Sequence, residues 1–203
     1  MTVGPEREIV PGSALGRPFA LALLFCALAS HGEASQVRPI NLEEMSRRAA
    51  RIFSGQCLEV RSERDPSLGL EVTILKFKVH HVAKGGAGRT VTLRILGGGA
   101  DPGPMAGVTG VPAFRAGEEV ILFLYGESRI GLTSPVGMAQ GKFSIATDKG
   151  GRRLAVNGVG NRRLFKGLSA EGARRIAGTP RGAAGDRDLT PEALLHMAEA
   201  LGR

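Results

Sequence analysis

Cys57, the histidine pair His80-His81, the single His196 and the acidic pair Glu118-Glu119 are the residues of this chain best suited by type to chemistry. Nucleophilic catalysis needs a Ser or Cys activated by a neighbouring base. No G-x-S-x-G sequence occurs, so the candidate nucleophile is Cys57, with His80 or His81 as its base if the fold brings them together. The competing reading, adopted here, is a small hydrophobe in the core. Metal ligation needs His, Cys or carboxylates converging on one point. Successive strand residues point to opposite faces, so His80 and His81 would chelate together only across a bulge. His196 stands alone on a helix. The histidines are therefore read as surface or strand residues and no metal is assigned. Glu118-Glu119 follow Gly117 at a turn, a placement that suits solubility more than acid–base work. Ala83 to Thr90 (AKGGAGRT) falls short of a phosphate loop: Ala83 replaces the first Gly, Arg89 replaces the Lys, and a strand follows where a helix is required. Gly158-Val159-Gly160 lacks the third glycine of a dinucleotide motif. The expectation is a non-catalytic chain with no cofactor.

The start of the chain reads as an export leader. Phe19 to Ala29 are eleven consecutive apolar residues, long enough for a signal core and too short to span a bilayer. Arg7 and Arg17 precede the core, and Ala27-Leu28-Ala29 and Gly32-Glu33-Ala34 offer small residues for cleavage. The preferred cut is after Ala34, with Ala29 as the alternative. A lipidated Cys26 is disfavoured by Phe25 where a small residue is required. No twin Arg precedes the core, which favours general secretion. The mature chain is then residues 35–203, periplasmic or extracellular, with no membrane-spanning helix. Cleavage removes Cys26 and His31, and leaves Cys57 as the single mature cysteine. It either stays in the core or pairs with another chain in a disulfide-linked dimer.

Charge sets a second bound. The whole chain carries +8, and the leader holds two cations against three anions, so the remainder is +9. A basic protein invites anionic partners. Here, however, the cations are scattered as pairs (Arg47-Arg48, Arg152-Arg153, Arg162-Arg163, Arg174-Arg175), which suits a solvated surface. Nucleic-acid and carbohydrate readers need aromatic platforms. This chain has no Trp and one Tyr, Tyr125, and export removes most nucleic acid from reach.

The elements that would position these residues follow from periodicity. Asn41 caps a short helix over about 42–51, with Glu44 at the capping-box position and Ile40 and Met45 as a hydrophobic staple. The pattern then shifts to period two, giving strands over 54–60, 70–82, 91–95, 120–125, 132–136, 142–146 and 154–156. Asp65-Pro66-Ser67 and Asp148-Lys149-Gly150-Gly151 read as turns. Val120 to Tyr125 (VILFLY) is apolar on both faces and is the expected centre of the core. In 70–82 the apolar face changes partway, from Leu70, Val72 and Ile74 to Leu75, Phe77 and Val79, as in a strand bending around a closed sheet. A short helix over 169–177, a linker over 179–188 and a final helix capped by Thr190 close the chain. Seven short strands imply a mainly β, α+β protein: an antiparallel barrel flanked by an N-terminal and a C-terminal helix. The domains are residues 1–34, 35–168 and 169–203.

The stretches NLEEMSRRAARIFSGQCLEV, TILKFKVHHVAKGG, VTLRILGGG, VPAFRAGEEVILFLYGE and GMAQGKFSI, spanning Asn41 to Ile145, resemble a group of uncharacterised exported bacterial proteins. Their layout is also similar to the netrin-type module of tissue inhibitors of metalloproteinases. That resemblance implies an OB-like barrel used as a binding scaffold. In those inhibitors a Cys-x-Cys pair at the mature N-terminus chelates the protease zinc. The start expected here, near Ser35 or Gln36, has no cysteine, so that mechanism transfers to no residue of this chain. The function expected is an exported, non-catalytic binding domain for a protein or envelope partner. The alternatives are a basic anion-binding envelope protein and a Cys57-dependent enzyme. The long loop Gly97 to Ala116 is the expected contact surface, with Met105, Val108, Val111 and Phe114 as apolar anchors. The competing expectation is that Phe114 packs on the barrel.

Overall fold

The computed structural model describes Met1 and residues 38–97, 112–179 and 188–203. The expected leader, its cleavage sites, the loop anchors Met105, Val108 and Val111, and most of the 179–188 linker lie outside these residues. The chain divides into two compact units, Met1–Gln36 and Val37–Arg203, and every element described here belongs to the second.

The first helix, α1, is Leu42–Arg48. The Asn41 carboxamide oxygen accepts the Glu44 amide at 2.9 Å, which satisfies one of the helix's free N–H groups. Ile40 and Met45 are buried in one core, as a staple requires. The helix stops three residues earlier than periodicity suggests. Ala49 is already extended, and the Ala50 amide donates to the Leu124 carbonyl at 2.8 Å. Sheet pairing thus takes over, and Ile52 reaches the same core from a strand instead of a helix.

Six antiparallel strands follow: β1 Arg51–Asp65, β2 Leu70–Lys84, β3 Thr90–Leu96, β4 Glu119–Leu124, β5 Lys142–Thr147 and β6 Arg153–Asn157, in the order β3-β2-β1-β4-β5-β6. The turn joining β1 to β2 is built on Asp65, whose carboxylate accepts from the Ser67 hydroxyl and from the Ser67 and Leu68 amides. These bonds, the Ser67 hydroxyl foremost, together with Arg94 hold the Asp65 carboxyl below the usual range. The expected change of face in β2 is present: Val72, Leu75 and Phe77 have no exposed surface, while Lys76 is exposed.

The seventh expected strand is not a strand of the sheet. Residues 132–136 make two isolated bridges, Thr133 with Ile95 and Pro135 with Leu124. The Thr133 amide donates to Arg94 and the Val136 amide to Phe123. Pro135 has no N–H to give to a ladder, so the segment clips β3 to β4 by single contacts. The sheet itself is open. Two further helices, α2 Ala170–Arg175 and α3 Pro191–Leu201, complete the chain. Thr190 caps α3 with Pro191 in its first turn, as expected. Leu194, Met197, Ala198 and Leu201 are buried against the sheet and α1. Among the described residues no helix is long and apolar enough to cross a membrane.

The core has two halves. Phe53, Cys57, Leu75, Phe77, Leu93, Ile95, Phe114, Val120, Leu122 and Leu124 fill one. Ile52, Ile121, Phe123, Phe143 and Ala155 join residues of α1, of α3 and of the flanks of α2 in the other. Asn41 does more than cap: its amide nitrogen also donates to the Lys166 and Gly167 carbonyls at 3.2 and 2.9 Å. Asn41→Ala is therefore expected to lower stability by about 1–2 kcal/mol, the upper half of the capping range, read from the urea midpoint with an unchanged m-value.

Candidate functional site

The Cys57 side chain settles one candidate by its position. It lies in β1 with no exposed surface, and its thiol donates to the Glu59 carbonyl at 3.5 Å. Burial first, then the Glu118 charge, pushes its pKa up, the opposite of what an activated nucleophile needs. The same burial puts the sulfur out of reach of a second chain in this conformation. Phe114 is also a core residue, 1% exposed. Its ring meets Phe77 edge-on at 6.1 Å and lies 4.9 Å from the Lys142 ammonium. It therefore packs on the sheet and offers no surface to a partner, while its three companions in the loop lie outside the described residues.

Glu118 and Glu119 are structural and not merely solubilising. Lys142, 8% exposed, gives its ammonium to the Glu118 carboxylate at 2.6 Å and to the Ala113 carbonyl at 2.8 Å. The Ser144 hydroxyl donates to the same carboxylate oxygen at 2.6 Å. Glu119 pairs with Arg153 at 2.6 Å. Gly158 and Gly160 belong to a turn set by two buried amides. The Asn157 and Asn161 backbone N–H groups each donate to the other's side-chain oxygen, at 2.9 and 2.8 Å.

The histidines converge in a way their spacing conceals. Ser54 pairs with His81 and Gly55 with Val79, so His80 is an extra residue in β2. The pairing breaks where the strands are pinched: a Cβ on Gly55 would lie 2.5 Å from the Lys78 carbonyl oxygen. A bulge of this kind cancels the normal alternation of side chains. His80 and His81 consequently line the same cleft, which corrects the expectation that they face apart. The opposite wall is α3, whose Glu192, Leu195, His196 and Glu199 lie on one helical face at spacings of three and four. Ser54 of β1, Ile145 of β5, Arg153 of β6 and Pro191 complete a cleft of about 440 Å³, within the size range of ligand pockets.

Three of the four histidines of the chain therefore meet here. His81 Nε2 lies 2.6 Å from the Glu199 carboxylate, joining β2 to α3 across 118 residues of sequence. Arg153 is held by Glu119 and lies 3.9 Å from Glu192. His80, His81 and His196 are all exposed at the surface of the cleft. Among the described residues no three His, Cys, Asp or Glu side chains are arranged to hold a metal ion. Glu192, Leu195 and Glu199 were missed by the sequence reading. The signal was present in Glu192, His196 and Glu199, which fall at i, i+4 and i+7 on one helix.

No protein-family model matches the chain, and no curated protein matches it significantly. The buried Cys57 gives a direct expectation. Iodoacetamide at pH 8 should label Cys57, followed by peptide mass, at least about a hundredfold more slowly in the native protein than in the urea-unfolded chain, because this thiol meets the reagent only when opened. Equal rates would return Cys57 to the list of reactive groups.

Proposed function

We propose that this protein is an exported, non-catalytic binding domain with an OB-like, netrin-like barrel, and that it recognises a protein or envelope partner through the cleft between β2 and α3. The observation that carries this reading is the cleft itself. Its lining combines the apolar Ile145, Pro191 and Leu195 with histidine, arginine, serine and glutamate side chains, the mixed composition of a recognition site. The clip formed by residues 132–136 between β3 and β4 supports the barrel, since it links the β3 edge back to the fourth strand of the order. The apolar run from Phe19 to Ala29 supports export. The buried thiol of Cys57 weighs against the enzyme alternative.

The test uses the full chain expressed in its own host. The expected product in the envelope fraction is a polypeptide beginning at Ser35, read by intact mass. Crosslinking of that product should capture a partner, and His196→Trp, which fills the cleft from an exposed position, should reduce the capture about fivefold or more. A product that retains residues 1–34 in the cytosol counts against export. Capture that is indifferent to His196→Trp counts against the cleft.

A second reading, anion binding at the basic surface, rests on the turn after β6. Arg162, Arg163 and Lys166 are exposed or half-exposed there and have no acidic partner among the described residues. Arg163 holds φ +64, an uncommon conformation for a residue of its kind. This reading predicts retention on phosphatidylglycerol vesicles that collapses between 0.05 and 0.5 M salt, values of about those sizes being enough to shorten screening to a few ångströms. Removal of both arginines, Arg162→Gln with Arg163→Gln, should abolish the retention.

A further inference from the structure

The cleft between β2 and α3 holds a charge arrangement whose sign depends on whether its histidines carry protons. With neutral imidazoles its charged lining is Arg153 against Glu192 and Glu199, a formal −1; with His80, His81 and His196 protonated it is +2. The groups are not equivalent. The Glu199 carboxylate already accepts from His81 Nε2 at 2.6 Å, and Glu119 holds Arg153 at 2.6 Å with Glu192 at 3.9 Å. His80 and His196 have no acidic partner among the described residues, and they stand on opposite walls, one on β2 and one on α3. Ser54 lines the same space, 7% exposed, with a hydroxyl that makes no hydrogen bond inside the described protein.

We infer that His80 and His196, with the Ser54 hydroxyl, form a pH-gated clamp for an oxyanion, the carboxylate, sulfate or phosphate group of a ligand that enters this cleft. The inference rests on the proposed use of the cleft for recognition and names the chemistry that the cleft takes. An imidazole gains its proton between about pH 8 and 5. Two imidazolium donors facing one anion in a partly enclosed space form charge-assisted hydrogen bonds, and the walls focus their field. Without those protons the two rings attract no anion, and the Glu192 and Glu199 carboxylates repel it. Binding therefore takes up protons, and affinity rises as pH falls. The bulge at His80 is what makes the clamp available, since regular alternation would turn His80 or His81 away.

The test is a titration of the full chain, without an affinity tag, with sodium sulfate at constant ionic strength, followed by amide and imidazole chemical shifts at pH 5.5 and 7.5. The expected result is saturable shifts at Ser54, His80, His81 and His196 at pH 5.5, with affinity about tenfold or more weaker at pH 7.5. His80→Gln and His196→Gln, both at exposed positions, should each reduce the pH dependence, and the double variant should reduce it further. Binding that is equally strong at both pH values, that survives both substitutions, or that maps to residues 162–166 overturns the inference. Absence of any shift at the cleft overturns it as well. These outcomes are separate from the partner test. If sulfate fails while His196→Trp still blocks capture, the cleft remains a recognition site and the anion clamp is wrong. If capture is indifferent to His196→Trp, the recognition reading fails with it. A dextran sulfate arm and a sulfated monosaccharide arm then distinguish a polymeric from a small source of the anionic group.

Discussion

Val120, Ile121, Leu122, Phe123 and Leu124 run through β4 without a polar side chain, and none is more than 1% exposed. A strand has two faces, so such a run must be covered on both. Burial of each side chain contributes roughly 1.5–3 kcal/mol, and a sheet solvated on one side would forfeit about half of that. The rest of the architecture follows from this demand. Val120, Leu122 and Leu124 enter the core enclosed by β1, β2, β3 and Phe114. Ile121 and Phe123 enter the core that α1 and α3 cover. The ring of Phe123 packs on Phe143 at 5.6 Å, which ties β5 to the same layer.

Covering the second face places α3, and α3 in turn makes the cleft. Its buried stripe of Leu194, Met197, Ala198 and Leu201 fixes the helix's rotation. The adjoining stripe, Glu192, Leu195, His196 and Glu199, is then turned toward the His80-His81 end of β2. The cleft is a by-product of core packing on one wall and of a β-bulge on the other. Polar groups at the margins are satisfied locally. Gln140 accepts the Ile40 amide at 2.9 Å and donates to the Arg38 carbonyl at 3.1 Å, and Asn157 donates to the Gln140 carbonyl. These bonds anchor the chain where it enters α1, and Glu43 adds another tie. The Ser169 amide and hydroxyl hold its carboxyl below the usual range, so this link between α1 and α2 is complete above the ordinary glutamate range. It is lost as pH falls through the depressed value.

Much of this was legible in local sequence. Asn41, Thr190 and Ser169 cap their helices through side-chain bonds to amides three residues on, and such bonds depend on residues that are neighbours in the chain. The Asp65 and Asp148 turns are of the same kind: Asp148 accepts from the Gly150 and Arg152 amides, and Gly151 takes φ +80. The doubly apolar β4 was evident from composition alone. The errors were of another kind. Ile52 fits a helical period and sits in a strand, because the carbonyl of Leu124 captured Ala50. Residues 132–136 have the pattern of a strand but meet β3 and β4 at single points.

The sequence alone determined the helix caps, the two Asp-based turns, the antiparallel β character and the central place of β4, since each depends on residue types within a few positions of one another. The tertiary structure decided which side chains meet. The one-residue slip between Ser54 and Gly55 that lets His80 and His81 line one cleft is a property of two paired strands, and register is set by contacts outside either strand. The His81–Glu199 contact, the burial of Cys57 and the inward placement of Phe114 likewise arise between segments distant in the chain. Only when packing closed those distances did histidines with unrelated spacings become one cleft.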